Sequence, residues 1–222
     1  MNTLICVLSV LAAALTADAQ GSFEAMSNYA GTTPSDGSPV YSSIYSSING
    51  PVGWTFRPAA DIDVTALGAF GYLVPSHGNL EIGLWDSSGT LLASQAVGAG
   101  STAVGQSRYE SIVPLLLAAG QTYFLGAYSS AGSLTAVVVT PGSPPNGYAT
   151  MSPEIQLGLV AYSSGSVFSF PATTDGLPGY AIIAPNFEFQ PVPEPTAWML
   201  LSGGVASLLM VRRGVLNGKV QE

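Results

Sequence analysis

The chain has 222 residues, of which 13 are acidic and 5 basic, so its formal net charge at pH 7 is −8. Phosphate binding draws on clustered Lys and Arg, so this balance excludes nucleic acid as a partner. One histidine, His77, and one cysteine, Cys6, supply too few ligands for a zinc site, and no Gly-x-Ser-x-Gly motif is present, so no enzyme activity is expected.

The first predicted element is a secretory signal peptide at residues 1–19. Leu4 to Leu15 is apolar, and Ala17 and Ala19 place small residues at the two positions that a signal peptidase requires. This pattern predicts export by the Sec machinery and cleavage by signal peptidase before Gln20, which leaves the mature body without a cysteine. The alternative is a buried helix of the fold at the same position.

Residues 20–190 predict one β domain. Every second residue from Leu80 to Leu84 is aliphatic, a period of two that is typical of a strand. This strand is predicted to end in a turn at Asp86-Ser87-Ser88-Gly89, after which Thr90–Val97 returns as the second strand of a hairpin.

Further short strands follow the same pattern along the body. Their predicted positions are Trp54–Phe56, Ile62–Val64, Tyr123–Leu125, Leu134–Thr140 with both faces buried, Val167–Phe170 and Phe187–Phe189. No stretch between residues 22 and 190 sustains a helical period. Many short strands with frequent turn signals predict an all-β fold, an antiparallel β-sandwich of the jelly-roll or immunoglobulin-like type.

A candidate glycan-binding surface consists of Glu81, Trp85 and Tyr109. Trp85 shares a strand face with Glu81, and an aromatic plane beside a carboxylate suits the apolar face and the hydroxyl groups of a sugar. The other tyrosines considered, mostly in predicted loops, are Tyr41, Tyr45, Tyr128, Tyr148 and Tyr162. The alternative for Trp54 and Trp85 is that both fill the core of the sandwich.

No cofactor is expected, although calcium is a candidate because three aspartates offer oxygen ligands. Asp61 and Asp63 lie on one face of a strand start, and Asp86 opens a turn. Their alternative roles are to block edge pairing and to form the turn. Glu81 and Asp86 are separated by an odd offset along one strand, so they are predicted to point to opposite faces and not to form a glycosidase pair.

The end of the chain has three elements in a fixed order. A Pro-rich stretch at 191–195 is followed by an uncharged run at 196–211 and a basic tail at 212–222 that opens with Arg212 and Arg213. A 16-residue helix spans roughly 24 Å, which is short for a hydrocarbon core of about 30 Å, so flanking residues complete the span. The arginines place this end in the cytoplasm as a membrane stop.

This order, with Val192, Pro193, Glu194 and Pro195 as the motif, resembles the PEP-CTERM sorting signal of exported Gram-negative bacterial proteins. The resemblance implies that a membrane-embedded exosortase recognises the motif, cleaves nearby and releases the protein to the envelope or the extracellular matrix. Such proteins are associated with exopolysaccharide and biofilm production. The alternative is an ordinary single-pass anchor with a Pro-rich stalk.

Residues 50–140 resemble the DUF4082 type of extracellular β-sandwich module. The segments that carry this resemblance are Val52–Phe56, Ile62–Gly68, Ile82–Asp86, Gly89–Ala93 and Leu117–Tyr123. The family occurs in bacterial surface and carbohydrate-associated proteins and has no settled activity, so the resemblance informs the fold more than the function.

Two functions are therefore predicted. The first is a secreted, non-catalytic envelope or matrix protein, tethered to the inner membrane as a precursor and then transferred to the outer surface or the extracellular matrix. The alternative is a carbohydrate-binding module on the same export route, with exopolysaccharide as partner and calcium as a candidate aid. A third class, a hydrolase, requires two carboxyl groups facing one cleft.

Overall fold

The computed structural model divides the chain into two units, Met1–Pro191 and Val192–Glu222. The residues it describes are 21–27, 43–71, 73–74, 78–132, 134–139, 149–178, 181–182 and 184–193. The predicted signal peptide, His77, Glu194 and the run 196–211 lie outside these residues. Within the described ranges, no helix is both long enough and apolar enough to cross a membrane.

The described residues are organised as β-strands joined by short turns. The strands are β1 (Phe23–Glu24), β2 (Met26–Ser27), β3 (Ser43–Ile48), β4 (Val52–Pro58), β5 (Ile62–Phe70), β6 (Leu80–Asp86), β7 (Leu91–Val97), β8 (Thr102–Val104), β9 (Ser107–Leu117), β10 (Tyr123–Ser129), β11 (Leu134–Val139), β12 (Thr150–Met151), β13 (Ile155–Tyr162), β14 (Thr173–Pro178), β15 (Ala181–Ile182) and β16 (Pro185–Pro191).

Two antiparallel sheets form the sandwich. The five-stranded sheet has the order β1-β16-β5-β9-β8, and the six-stranded sheet has the order β14-β13-β4-β10-β6-β7. Four pairs are nested along the chain: β1 with β16, β4 with β10, β5 with β9, and β6 with β7. Nested pairs shared between two sheets are the connectivity of a jelly roll, which decides between the two predicted sandwich types.

The remaining strands extend or flank this jelly roll. The β13–β14 pair lengthens the six-stranded sheet beyond β4, and β8 lengthens the five-stranded sheet beyond β9. Two small sheets, β15-β11-β3 and β12-β2, complete the described strands.

The core lies between the two large sheets and is rich in aromatic side chains. Trp54 and Phe56 of β4 and Phe187 of β16 are fully buried. The Phe187 ring centroid lies 6.0 Å from that of Trp54 and 4.9 Å from that of Phe56. Trp54 Nε1 donates a hydrogen bond to the Pro185 carbonyl oxygen at 3.2 Å. Trp54 therefore fills the core, as its position in an alternating strand indicated.

A bulge in β5 keeps one long strand facing this core. Its pairing with β9 shifts register between Val64 and Ala66. Strict alternation would place Ile62 and Leu67 on opposite faces, yet both are fully buried members of the core. The extra residue changes the phase, so both halves of β5 present apolar side chains to the interior.

The strands predicted at 54–56, 62–64, 80–84, 90–97, 123–125 and 187–189 are confirmed. Leu134–Val139 is also a strand. The burial of both its faces stays a prediction, because the side chains after Leu134 are not among those that the structure describes. The prediction for Val167–Phe170 is wrong, because these residues form an irregular loop. Their aromatic side chains pack on the outside of a sheet, which gives a strand-like composition without strand pairing.

Candidate functional site

Three glycines form a row on the outer face of the six-stranded sheet, the face that points away from the five-stranded sheet. Gly126 of β10 is paired in register with Gly53 of β4 and with Gly83 of β6. A methyl group at Gly83 would lie 2.3 Å from the Trp85 ring, and one at Gly126 would lie 3.2 Å from it. The missing side chains therefore leave the space that the Trp85 ring occupies.

The loop 163–172 covers this ring. The ring centroids of Phe168 and Phe170 lie 5.2 and 6.3 Å from that of Trp85. Tyr128 of β10 anchors the loop by donating its hydroxyl proton to the Ser166 carbonyl oxygen at 2.5 Å. Trp85 is consequently only 3% exposed. It is buried as one alternative predicted, but under a loop and not in the core between the sheets.

The other half of the outer face is an open groove. It crosses β10, β4, β13 and β14 and has a volume of about 380 Å³. This volume falls in the range of roughly 300–1,000 Å³ that is typical of small-ligand sites. The residues that line the groove include Arg57, Thr122, Phe124, Gln156, Gly158 and Thr174.

Arg57 is the charged residue of the groove. Its Nε donates a hydrogen bond to Thr122 Oγ1 at 2.8 Å, which fixes one edge of the guanidinium group. None of the residues that line the groove is acidic, and the hydrogen bond to Thr122 uses Nε alone. The four N–H donors of the two Nη atoms therefore remain for a ligand.

A buried hydroxyl group shapes the floor of the groove. Thr55 is 5% exposed and accepts a hydrogen bond from the Leu159 backbone N–H at 2.7 Å. This bond lies where the pairing of β13 with β4 shifts register between Leu157 and Val160. A methyl group at Gly158 would lie 2.2 Å from Thr55 Oγ1, so the irregular backbone needs a glycine there. A bulge of this kind bends the strand that carries it, here β13.

The three predicted glycan-binding residues do not form one surface. Glu81 is exposed on β6, whereas Trp85 on the same strand is covered. Tyr109 lies in β9 of the other sheet and is 3% exposed. Tyr128 and Tyr162 are half-buried in strands, and Tyr41, Tyr148 and the side chain of Tyr45 lie outside the described residues.

Tyr109 belongs to a buried polar cluster on the outer face of the five-stranded sheet. Its ring lies over Gly68, where a methyl group would approach it to 2.3 Å. Asn186 Nδ2 donates hydrogen bonds to Tyr109 Oη at 2.6 Å and to the Met26 carbonyl oxygen at 2.8 Å. Asn186 Oδ1 accepts from the Met26 backbone N–H at 3.1 Å. Asn186 is fully buried, so the cluster fastens β2 over the sheet.

The three predicted calcium ligands have separate structural surroundings. Asp61 Oδ1 accepts a hydrogen bond from the Ala119 backbone N–H at 2.8 Å. Asp86 Oδ1 accepts from the Ser88 and Thr90 backbone N–H groups at 2.9 and 3.0 Å. The Ser88 hydroxyl also donates to Asp86 Oδ1. This bond has the largest effect, and together the bonds lower the pKa of Asp86. Asp63 is half-exposed on β5, and no group of three metal-ligating side chains converges within the described ranges.

One pair of carboxyl groups was not predicted. Glu24 of β1 and Glu188 of β16 are direct cross-strand neighbours, and both are half-buried. Burial, and then repulsion from Glu188, raises the pKa of Glu24 to about 7. Burial also raises the pKa of Glu188.

The other carboxyl pair, Glu81 and Asp86, lies on β6. The pairing of β6 with β10 is continuous from Leu80 to Asp86, so side chains five residues apart point to opposite faces, as predicted.

Few patterns in the sequence indicate the residues that shape these sites. Arg57 is one of two bases between residues 20 and 191, and an isolated base in an acidic domain is a usable signal. Asn186 and Glu24 find their partners about 160 residues away. No local pattern indicates such a pairing.

The fold and these sites define an all-β domain of the antiparallel sandwich class. Residues 16–180 match the family model described as Domain of unknown function (DUF4082). The chain belongs to this family, and the match is longer than the 50–140 that the resemblance covered. Comparison with curated proteins found no match.

Proposed function

We propose that this protein is a secreted, non-catalytic component of the cell envelope or extracellular matrix, delivered by an exosortase. The observation that carries the proposal is the order of the C-terminal elements: Val192-Pro193-Glu194-Pro195, the uncharged run 196–211, and Arg212-Arg213. The uncharged run holds the precursor in the inner membrane, and the arginines stop it at the cytoplasmic side.

The end of the β domain supports an accessible motif. The last strand, β16, ends at Pro191, and Pro193 is exposed. Prolines at 191, 193 and 195 fix φ and remove backbone donors, so a processing enzyme spends little ordering entropy on binding this stretch. The signal peptide at 1–19 directs the chain to the Sec machinery and is removed by signal peptidase between Ala19 and Gln20.

A non-catalytic role fits the surroundings of four of the described acids. Asp61 and Asp86 are held by turns, and Glu24 and Glu188 are neither in the large groove nor in a second, smaller recess of about 120 Å³ beside Tyr128. The domain acts through its surface and its stability in the matrix, where it serves biofilm and exopolysaccharide structure.

Replacement of Glu194 tests the delivery route in cells that make the exosortase. Glu194→Ala is expected to leave the precursor in the inner membrane, because the motif loses its single charge. Glu222→Ala, the same substitution outside the motif, is the matched control and should be processed normally. Intact mass of the protein from membranes and medium is the measurement. Normal release of Glu194→Ala would remove the sorting assignment.

A second function is favoured by the groove on the six-stranded sheet. Arg57, Thr122, Gln156 and Thr174 offer polar side chains beside the apolar ring of Phe124. A few polar groups beside an apolar surface are the usual composition of a small-ligand site. We propose glycan binding in this groove as the alternative function on the same export route.

Retention on the producer's exopolysaccharide distinguishes the two functions. Saturable retention of the full-length protein supports glycan binding, and no retention at millimolar sugar leaves the structural role. A parallel column with chelator tests calcium. If retention is unchanged by the chelator, the Asp61, Asp63 and Asp86 hypothesis is rejected.

A further inference from the structure

We propose that the groove across β10, β4, β13 and β14 binds a carboxylated sugar, with the Arg57 guanidinium group receiving the carboxylate. This inference rests on the second function proposed above and names its ligand class. It goes beyond that function because a neutral glycan would also satisfy a general sugar site.

The first argument is the contrast between the groove and the rest of the domain. Between residues 20 and 191 the chain has two bases, Arg57 and Arg108, and an excess of acids. Arg108 is occupied, because its Nη1 donates to the carbonyl oxygens of Ala99 and Ser101 at 2.8 and 3.0 Å. Arg57 instead lines the groove, which has no acidic residue. The groove is therefore a locally positive site on an acidic protein.

The second argument is the geometry of the guanidinium group. Thr122 Oγ1 accepts from Nε at 2.8 Å, so the group is oriented before a ligand arrives. The Nη atoms remain as a planar fork, which matches the two oxygens of a carboxylate. A single fork suits one carboxylate per sugar, whereas a polyphosphate draws on several bases.

The third argument separates a sugar from an acidic peptide. The floor of the groove is the middle of a sheet, where β4 is paired with both β10 and β13. Its backbone N–H and C=O groups are engaged in that pairing, so they are not available to a peptide strand. What the groove offers is Gln156 in register with Arg57, Thr174 across the groove, and the Phe124 ring. Amide and hydroxyl groups bind sugar hydroxyls, and an aromatic ring packs on the apolar face of a sugar.

The net charge of the domain does not oppose this ligand at working salt. At 0.15 M ionic strength the Debye length is about 8 Å, so carboxylates farther away are largely screened. Among the residues that line the groove, Arg57 is the one that carries a charge, so its guanidinium group makes the contact with the sugar carboxylate.

The test uses the full-length protein in a detergent that is not a glycoside. The probes are oligosaccharides of galacturonate, glucuronate and mannuronate, each with its methyl-esterified form, which removes the charge and keeps the sugar. Binding is measured by isothermal titration calorimetry at 0.15 M salt. At least one uronate oligosaccharide should bind saturably, and its ester should bind about 10- to 100-fold more weakly, the usual range for a lost charged hydrogen bond.

Three variants locate the contact. Arg57→Gln should lose affinity by the same factor as esterification, whereas Arg57→Lys should lose less because the charge remains without the fork. Arg108→Gln removes an equal charge outside the groove and should bind as the wild type does. Thermal unfolding midpoints show whether each variant is folded, and Gln156→Ala provides a second groove variant if Arg57→Gln is not.

The outcomes separate failure of the ligand class from failure of the function. If neutral and esterified sugars bind as well as uronates, the carboxylate inference is overturned and glycan binding stands. If sulfated but not carboxylated sugars bind, or if oligoglutamate binds as tightly as any uronate, the inference is likewise overturned. No saturable binding to any sugar overturns both proposals.

Discussion

On the outer face of the five-stranded sheet the covering residues are polar and hydrogen-bonded, whereas on the six-stranded sheet they are aromatic. Asn186 reaches across Gly68 to Tyr109 and also binds both backbone groups of Met26. Trp85 instead lies over Gly83 and Gly126 and is covered by two phenylalanines of a loop. In both places glycines in a strand leave space for a ring from a neighbouring residue.

The two faces differ in how strictly the contacts of their covering residues fix the position of those residues. Hydrogen bonds to a buried amide are directional, so the Asn186 cluster fixes β2 in one position. Aromatic packing is less directional and covers only part of the face. The groove occupies the remaining part, beside the Phe124 ring, which packs edge-on against Phe170 at 4.8 Å. We expect the rigid face to serve stability, and we propose that the partly covered face serves binding.

The largest effect is expected when the polar cover is broken. Asn186→Ala removes hydrogen-bond partners of Met26 and Tyr109 inside a fully buried site. Each buried polar group left unpaired costs about 1–3 kcal/mol, so the free energy of unfolding should fall by about 3 kcal/mol. Urea denaturation measures this change. Gln190→Ala, on an exposed position of the same strand, should change stability little; equal losses for both variants would contradict the role of the cluster.

A smaller loss is expected when the aromatic cover is broken. Gly83→Ala places a methyl group 2.3 Å from the Trp85 ring, so the ring must move away from the sheet. Such overpacking costs about 1–3 kcal/mol, and tryptophan fluorescence should report greater exposure of the indole. Gly100→Ala is the matched control, because no atom lies within 4 Å of its added methyl group. An unchanged emission spectrum in Gly83→Ala would show that Trp85 is not held by this row.

The predictable part of the fold was local. The hairpin from Leu80 to Val97 followed from alternation and from the Asp86 turn, because both signals lie within a few residues. Core residues such as Trp54 and Phe187 followed from the same period. The loop at 167–170 was misassigned because aromatic residues that cover the outside of a sheet have the same composition as residues inside one.

The rest depended on partners far apart in the chain. The jelly roll nests β1 with β16 and β4 with β10, and no short pattern shows which strands are neighbours. The groove arises where Arg57 of β4, Gln156 of β13 and Thr122, the residue before β10, come together. Its floor depends on a bulge at Gly158, which a period of two does not predict. The Glu24–Glu188 pair depends on the same long-range register.

The smallest effect is expected at that carboxyl pair, as a dependence of stability on pH. Burial, and then repulsion from Glu188, raises the folded-state pKa of Glu24 to about 7 from its ordinary value of 4.5. The folded state therefore holds a proton that the unfolded state has lost, and stability falls as pH rises from 4.5 to about 7. Because the group is half-exposed, solvent screening reduces the effect to about 1 kcal/mol. Glu24→Gln should thus match the wild type at pH 4 and exceed its unfolding free energy at pH 8, while Glu81→Gln, at an exposed position of β6, should follow the wild-type curve. Parallel curves for Glu24→Gln and the wild type would mean that the pair does not oppose folding, and that the attachment of β1 to β16 is insensitive to pH.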